Sequence, residues 1–316
     1  MEEKRPLIVL TGPTAVGKTA LSIKLAKKIG GEIISADSMQ VYKYMDIGSA
    51  KITVEQMQGV PHHLIDVLNP EDEFNVYTFQ TMAKESLKGI YERGHIPIVA
   101  GGTGFYIQAL LYDINFEPEE ENTEIRKKLE KLQKEKGSHY LYELLKEKDP
   151  DSALEIHENN GKRIIRALEF YELNGIPISL HNKEQRKKET AYRSCYFVLN
   201  DDRQKLYERI DKRVDEMLES GLLQEVCKLK DMGYHRNMVS MQGLGYKEML
   251  SYLEGELPFE DAVYLIKRDS RHFAKRQLTW FRREKDVIWI DKQAFSYDDE
   301  KILEFIIATM KQKGIV

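Results

Sequence analysis

The sequence predicts an α/β fold, a parallel sheet flanked by helices with an all-helical lobe inserted in it, and three observations predict this. An apolar run over residues 7–10 leads into Gly12-Pro13-Thr14-Ala15-Val16-Gly17-Lys18-Thr19 and then into a helical pattern that begins at Lys18. The spacing G-x-x-x-x-G-K-T in a strand–loop–helix context is that of a phosphate-binding loop. Further short apolar runs at 32–36, 96–100, 195–199 and 287–290 alternate with helical patterns, as a parallel sheet with crossover helices requires. Between residues 117 and 190 the composition turns Lys/Glu-rich and the strand signal all but disappears. Residues 1–116 and 191–316 are therefore expected to form a P-loop NTPase-like core with C-terminal helices, and 117–190 an inserted helical lobe.

Taken in order, the first strand is followed by a helix whose apolar positions are Leu21, Ile23, Leu25 and Ile29. Gly12 and Gly17 let the loop fold so that successive N–H groups face an oxyanion, and the helix start adds partial positive charge. Lys18 supplies a point charge and Thr19 a hydroxyl suited to Mg²⁺. Gly30-Gly31 ends the helix, and the second strand runs into Asp37-Ser38. A carboxylate at a strand's C-terminal end faces the ligand crevice of an open parallel sheet. Asp37 is thus the candidate acid or base, with an N-cap or a structural ion pair as the alternative. Residues 40–51, with Tyr42, Tyr44, Asp46, Gly48 and Lys51, look too mixed to be core and are expected to form a loop with short helix. His62-His63 have no further ligand at metal spacing and are expected to be structural.

A helix is expected over 77–91, then the strand 96–100, which ends in Ala-Gly-Gly-Thr rather than the Asp that often helps hold Mg²⁺ in kinases and nucleotide hydrolases. Thr103 offers one hydroxyl there, before a helix over 105–111. In the lobe, Asn122 and Asp149-Pro150 are helix starts, and Gly137 and Asn174-Gly175 helix stops. Lys162, Arg163 and Arg166 fall opposite Ile164, Ile165, Leu168 and Tyr171, a basic face that is either simply solvated or aimed at a polynucleotide. After the strand 195–199, a helix over 204–219 carries Arg209 and Arg213 on one face, positioned to close over a phosphate or to pair with Asp211, Asp215 or Glu216. From Arg268 to Arg283 basic residues recur at helical spacing with Phe273, Trp280 and Phe281 between them, which suits a helix laid along a polynucleotide backbone.

The 316 residues are ample for a large core, and 41% hydrophobic content is globular. A net charge of −4 gives no global attraction to nucleic acid, so a polyanionic partner must be held by local basic faces. Cys195 and Cys227 stand far apart, which fits a reducing compartment and no zinc site. No apolar run reaches the length of a signal segment or membrane span, so a cytoplasmic protein without membrane contact is expected.

With these residues assembled, the chain resembles the tRNA dimethylallyltransferases, also called tRNA isopentenyltransferases, over almost its whole length. The markers are GPTAVGKT from Gly12, ADSMQVY from Ala36, MDIGSAK from Met45, GGTGFY from Gly101, GLGYKE from Gly243 and KRQLTWFRR from Lys275. The resemblance implies transfer of the dimethylallyl group of dimethylallyl diphosphate to N6 of the adenosine 3′-adjacent to the anticodon, in tRNAs reading codons that begin with U. It implies Asp37 as general base, with Lys18, Thr19 with Mg²⁺, the loop amides and Arg213 holding the departing diphosphate. It places tRNA contacts at Asp37, Ser38, Met39 and Gln40, at Thr103, and at Arg126, Lys162, Arg163 and Arg166. Further contacts follow at Met241, Gln242, Gly243, Leu244, Gly245, Tyr246 and Lys247, and at Lys275, Arg276 and Gln277. The helical lobe would grip the anticodon stem, the absence of a C-terminal zinc finger suggests a bacterial form, and a monomer is expected. The competing expectations are an adenylate isopentenyltransferase acting on free AMP or ADP, a P-loop small-molecule kinase, and an RNA-binding protein using nucleotide only as a switch.

Overall fold

The computed structural model describes residues 4–116, 124–185 and 187–316, and they divide into two compact units, Met1–Leu111 with Ala191–Val316, and Tyr112–Thr190. The first unit is built on six parallel strands in the order β3-β2-β4-β1-β5-β6. In chain order these are β1 (Pro6–Thr11), β2 (Gly31–Ala36), β3 (His62–His63), β4 (Ile96–Gly101), β5 (Arg193–Asn200) and β6 (Val287–Asp291). The central strands are apolar on both faces because helices cover both sides; Leu7, Ile8, Val9, Leu10, Ile98, Val99, Phe197 and Val198 are all 0% exposed.

Its helices are α1 (Lys18–Ile29), the single turn α2 (Val54–Met57), α3 (Val76–Glu92) and α4 (Gly104–Leu111). The second unit, by itself, contains α5 (Glu124–Lys148), α6 (Pro150–Glu155), α7 (Gly161–Asn174) and α8 (Ile178–Gln185). The first unit resumes after β5 with α9 (Arg203–Glu219), α10 (Leu222–Asp231), α11 (Tyr246–Leu253), α12 (Phe259–Phe281) and α13 (Asp299–Gln312). Register decides where chemistry can occur. Thr11 of β1 pairs with Gly101 of β4, and Gly101 with Ala36 of β2, so the segments beginning at Gly12, Asp37 and Gly102 leave the sheet at one level and on one edge. At the opposite end of β2, the buried Glu32 carboxylate accepts from Arg93 Nε (2.8 Å) and Nη2 (2.7 Å), and lies 2.7 Å from His63 Nε2 and 2.6 Å from His95 Nδ1. The Arg93 hydrogen bonds and the two imidazoles hold its carboxyl down to about 2. His62 Nδ1 lies 2.8 Å from the Val60 oxygen, so each of the paired histidines has a partner within the protein; among the described residues no cluster of three or more His, Cys, Asp or Glu could hold a metal ion.

Inside the second unit, Leu129, Leu141, Leu145, Ile164, Ile165 and Leu168 form a separate core. The run of α5 breaks at Gly137, whose φ of 84° takes the chain out of helical geometry. Asp149 caps α6 by accepting from the Ser152 N–H at 3.0 Å, and Gly175 ends α7 in the left-handed region. The helix start expected at Asn122 lies outside the described residues. Residues 40–51 form a loop, as expected, but they contain no short helix and are not excluded from the core: Val41, Tyr42 and Met45 are at most 1% exposed. Tyr42 packs edge-on against Phe74 at 6.4 Å, a long-range contact that no local pattern announces.

Candidate functional site

The loop between β1 and α1 is folded by its glycines. Gly12 has φ +146°, and a Cβ there would lie 2.5 Å from the Leu199 carbonyl oxygen, so only glycine fits beside β5. Gly17, at φ +98°, is the N-cap of α1 and offers no side-chain acceptor, leaving the first N–H groups of the helix available to an anion. Four loop carbonyls, by contrast, already have cationic partners. Lys18 Nζ donates to the Gly12 and Pro13 oxygens (3.0 and 2.8 Å), Arg209 Nε to the Ala15 oxygen (3.0 Å) and Lys292 Nζ to the Val16 oxygen (3.5 Å). The negative ends of these four peptide dipoles are thus met by basic side chains, while of the loop's N–H groups Thr14's is taken by Gln277 Oε1 (2.8 Å).

Arg213 Nη1 stands 3.4 Å from the Thr14 hydroxyl, so α9 does bring this guanidinium over the loop. Arg209, its neighbour one turn earlier, braces the loop and ion-pairs with Asp201; the acids proposed as its competitors go elsewhere, Asp211 to Arg271 and Asp215 to Lys267. Burial, with the nearby positive charge of Arg213, pushes the Lys18 ammonium down to about 7, opposed by the Asp37 charge. Arg213 is lowered as well, by burial first, but a guanidinium stays cationic.

Asp37 leaves the end of β2 with Oδ1 accepting from the Met39 N–H (2.9 Å) and the Gln40 N–H (3.3 Å). Among the described residues no hydrogen bond reaches its Oδ2, and Asp37 lines the same cleft as Lys18 and Arg213. Thr14, Lys18, Thr19, Asp37 and Arg213 line it, and so do Ser35, Gln40 and the side chains of Ile33, Ile52 and Ile65. Phosphate-loop residues, a carboxylate and three isoleucines therefore line one space, the kinds of group a site needs to hold an apolar group carried on a diphosphate. Thr19 and Asp37 are hard oxygen donors of the type Mg²⁺ takes, and so few of them suit an ion that keeps its waters and rides on a ligand's phosphates.

Other residues singled out from the sequence divide into outward and inward groups. Ser38, Thr103, Gly243, Leu244 and Lys247 are partly exposed; Gln242, Lys275 and Arg276 are exposed, with the Arg276 guanidinium 5.8 Å from the Phe273 ring centroid. In the second unit Lys162 and Arg163 are exposed, Arg126 binds the buried Glu169 through Nε and Nη2 (3.0 and 2.6 Å), and Arg166 lies 3.8 Å from the same carboxylate. Three side chains expected at RNA point inward instead. Met241 and Tyr246 are 0% exposed and Gly245 is buried with them. Gln277, 6% exposed, accepts from the Thr14 N–H (2.8 Å) and donates to the Gly102 oxygen (2.9 Å), tying α12 to both the phosphate loop and the end of β4. Of these, Gln277 lines the cleft. The sequence reading missed Lys292 and the bracing role of Arg209. Lys292 sits in the turn after β6, and only the pairing of β6 with β5 brings that turn to the loop.

The sequence also matches the family profile described as IPP transferase over residues 40–284, and that described as isopentenyl transferase over 6–69. The chain is 57% identical over 312 residues to a tRNA dimethylallyltransferase of Lachnoclostridium phytofermentans, with 99% of each chain covered. Among solved structures it resembles the full-length tRNA isopentenylpyrophosphate transferase of Bacillus halodurans (TM-score 0.73, 43% identity, 98% of each chain). It also resembles a eukaryotic dimethylallyltransferase described as acting on tRNA (TM-score 0.79, 32% identity, 91% of this chain and 74% of that one). Likeness of this depth over the full length, on a sheet that ends in a phosphate loop facing a carboxylate, places the chain in the IPP transferase family, with the tRNA dimethylallyltransferases.

Proposed function

We propose that this chain transfers the dimethylallyl group of dimethylallyl diphosphate to N6 of the adenosine 3′-adjacent to the anticodon, in tRNAs reading codons that begin with U, and releases diphosphate. The observation that carries the reading is the shared cleft, which Asp37 lines together with Thr14, Lys18 and Thr19 of the phosphate loop, Arg213 and three isoleucines. β4 ends there in Gly101-Gly102-Thr103, with no carboxylate of the kind that serves γ-phosphate transfer.

In this reading the adenine amine attacks the allylic carbon, the carbon–oxygen bond to the diphosphate breaks, and Asp37 takes the amine proton. Lys18, Arg213 and the N–H groups at the start of α1 neutralise the charge that grows on the leaving oxygen. Thr19 would supply the protein's hydroxyl to Mg²⁺, which contributes charge neutralisation of the diphosphate when bound. Ile33, Ile52 and Ile65 would cover the five-carbon group and exclude water. The target base must leave its stack, which costs less in an anticodon loop than in a duplex. Lys275 and Arg276 on α12, Gln242 and Lys247 before and at the start of α11, and Lys162, Arg163 and Arg166 of the second unit supply the basic and polar groups proposed for the RNA. The loop, the base and α12 belong to one chain, which supports a monomer as the working form. Among the described residues no helix is long and apolar enough to cross a membrane, and a tRNA substrate supports a cytoplasmic site of action.

The test is incubation of the protein with unmodified tRNA, Mg²⁺ and dimethylallyl diphosphate labelled in the isoprenoid, without ATP. Label on a single adenosine of the tRNA is expected. Label that appears only on added AMP would replace this reading with adenylate prenylation, and ATP consumption without label in any nucleotide would replace it with a kinase.

A further inference from the structure

Glu225, on α10, lies outside the cleft and outside every sequence motif, yet its carboxylate has four hydrogen-bond donors. The Asp46 and Ile47 N–H groups reach Oε2 at 2.9 and 2.8 Å, and the Gly48 N–H and the Tyr246 hydroxyl reach Oε1 at 3.1 and 2.7 Å. Three successive backbone N–H groups converging on one carboxylate form an anion nest, filled here by the protein's own charge. The fit is tight. A Cβ on Gly48 would come within 2.6 Å of the Tyr246 ring, so the segment lies directly against that side chain.

The other side of this segment reaches the cleft. Gln40 Nε2 donates to the Ser49 and Ala50 oxygens (3.4 and 3.2 Å), Gln40 Oε1 accepts from the Ser35 hydroxyl (3.3 Å), and the Gln40 N–H donates to Asp37 Oδ1 (3.3 Å). A second contact runs parallel to the first, because the Met39 side chain lies against Gly243, close enough that a Cβ on Gly243 would be 2.5 Å from Met39 Cε. The residues around Asp37 are thus fastened, through Gln40 and Met39, to the segment that enters α11.

We propose that Glu225 and Tyr246 are positioning residues for Asp37: they hold residues 46–50 so that Gln40 fixes the carboxylate at the reacting amine, and they link that carboxylate to the segment 243–247. The proposal rests on prenyl transfer with Asp37 as base. RNA docked at 243–247 would then act on the base through contacts that never touch the diphosphate. Neither Glu225 nor Tyr246 lines the cleft, and among the described residues no hydrogen bond joins either to the phosphate loop, so the binding of dimethylallyl diphosphate should be indifferent to them.

The test is single-turnover transfer at saturating tRNA and saturating dimethylallyl diphosphate, with KM for the diphosphate donor measured alongside. In Glu225→Gln an amide N–H replaces one acceptor of the nest, and the rate is expected to fall about 10- to 100-fold, the size associated with small misplacement of a reacting group. The donor KM should stay within about twofold, because uniform binding is untouched. Tyr246→Phe removes one donor of four and keeps the ring against Gly48; it should fold even if the first variant does not, and lose about 3-fold in rate. The double variant should be no slower than Glu225→Gln alone, since both act through one link. Wild-type rates in folded Glu225→Gln or in Tyr246→Phe would overturn the proposal, as would a raised donor KM at unchanged single-turnover rate. Absence of transfer by the wild-type protein would overturn the functional reading itself, a result distinct from either.

Discussion

Lys18 gives the site a pH dependence that can be read by calorimetry. Burial and Arg213 lower its ammonium from 10.5 to about 7 in the free protein, a drop worth at most about 5 kcal/mol at about 1.4 kcal/mol per pH unit. The sign follows from the lowered value. The unfolded chain holds this proton up to pH 10.5 and the folded chain releases it near 7, so the cost to the free protein is full below pH 7 and is relieved as pH rises toward 10.5. A bound diphosphate places negative charge against Nζ and favours the ammonium again, so binding near neutrality must take up a proton. At pH 7 the uptake at Lys18 is about half a proton, at pH 8 about 0.9, and at pH 6 about 0.1; affinity weakens about tenfold per pH unit above 8. Titration of diphosphate in buffers of different ionisation enthalpy measures this uptake, and Lys18→Arg, which keeps the charge but does not titrate there, corrects for the protons the diphosphate itself exchanges. Equal uptake by the two proteins at pH 8 would refute the reasoning.

Three further outcomes are expected. Asp37→Asn keeps the Oδ1 acceptor for the Met39 and Gln40 N–H groups but removes the base, so transfer should fall about 10²- to 10⁴-fold while tRNA affinity, measured by filter binding, is retained. Arg276→Ala should weaken tRNA binding and lower the slope of log K against log salt by about 1, with the rate on bound tRNA mostly intact; an unchanged slope would count against a phosphate contact there. Phe197→Ala, at a fully buried position in β5, should cost about 3–5 kcal/mol in urea denaturation, and a loss below about 1 kcal/mol would mean that the strand is less tightly packed than the structure has it.

How much of this molecule its sequence discloses depends on the range of the interaction that fixes each part. The phosphate loop is local: the glycines, the lysine and the helix that presents them occupy consecutive positions, so motif and geometry coincide. Asp37 is one step removed, legible because parallel strands end on a common edge. Residues 40–51 show the converse: their loop is legible, but their part in the core is not, since Val41, Tyr42 and Met45 are buried by contacts with no period along the chain. Lys292 and Glu225 had no local signal at all; a turn lysine and a helix glutamate become specific only once β6 lies beside β5 and α10 meets the 46–48 segment. Gln277 is different, because a signal was present in the pattern and was overridden by the basic residues around it. Ala274, Gln277 and Phe281 stand at i, i+3 and i+7 of α12 and are all buried, so the glutamine occupies the apolar stripe while Lys275 and Arg276 take the outer face. A polar side chain in such a stripe must find its partners inside the protein. Both atoms of its amide do, one on the phosphate loop and one at the end of β4, so a helix whose outer face is basic has its inner face bonded to the loop proposed to hold the diphosphate.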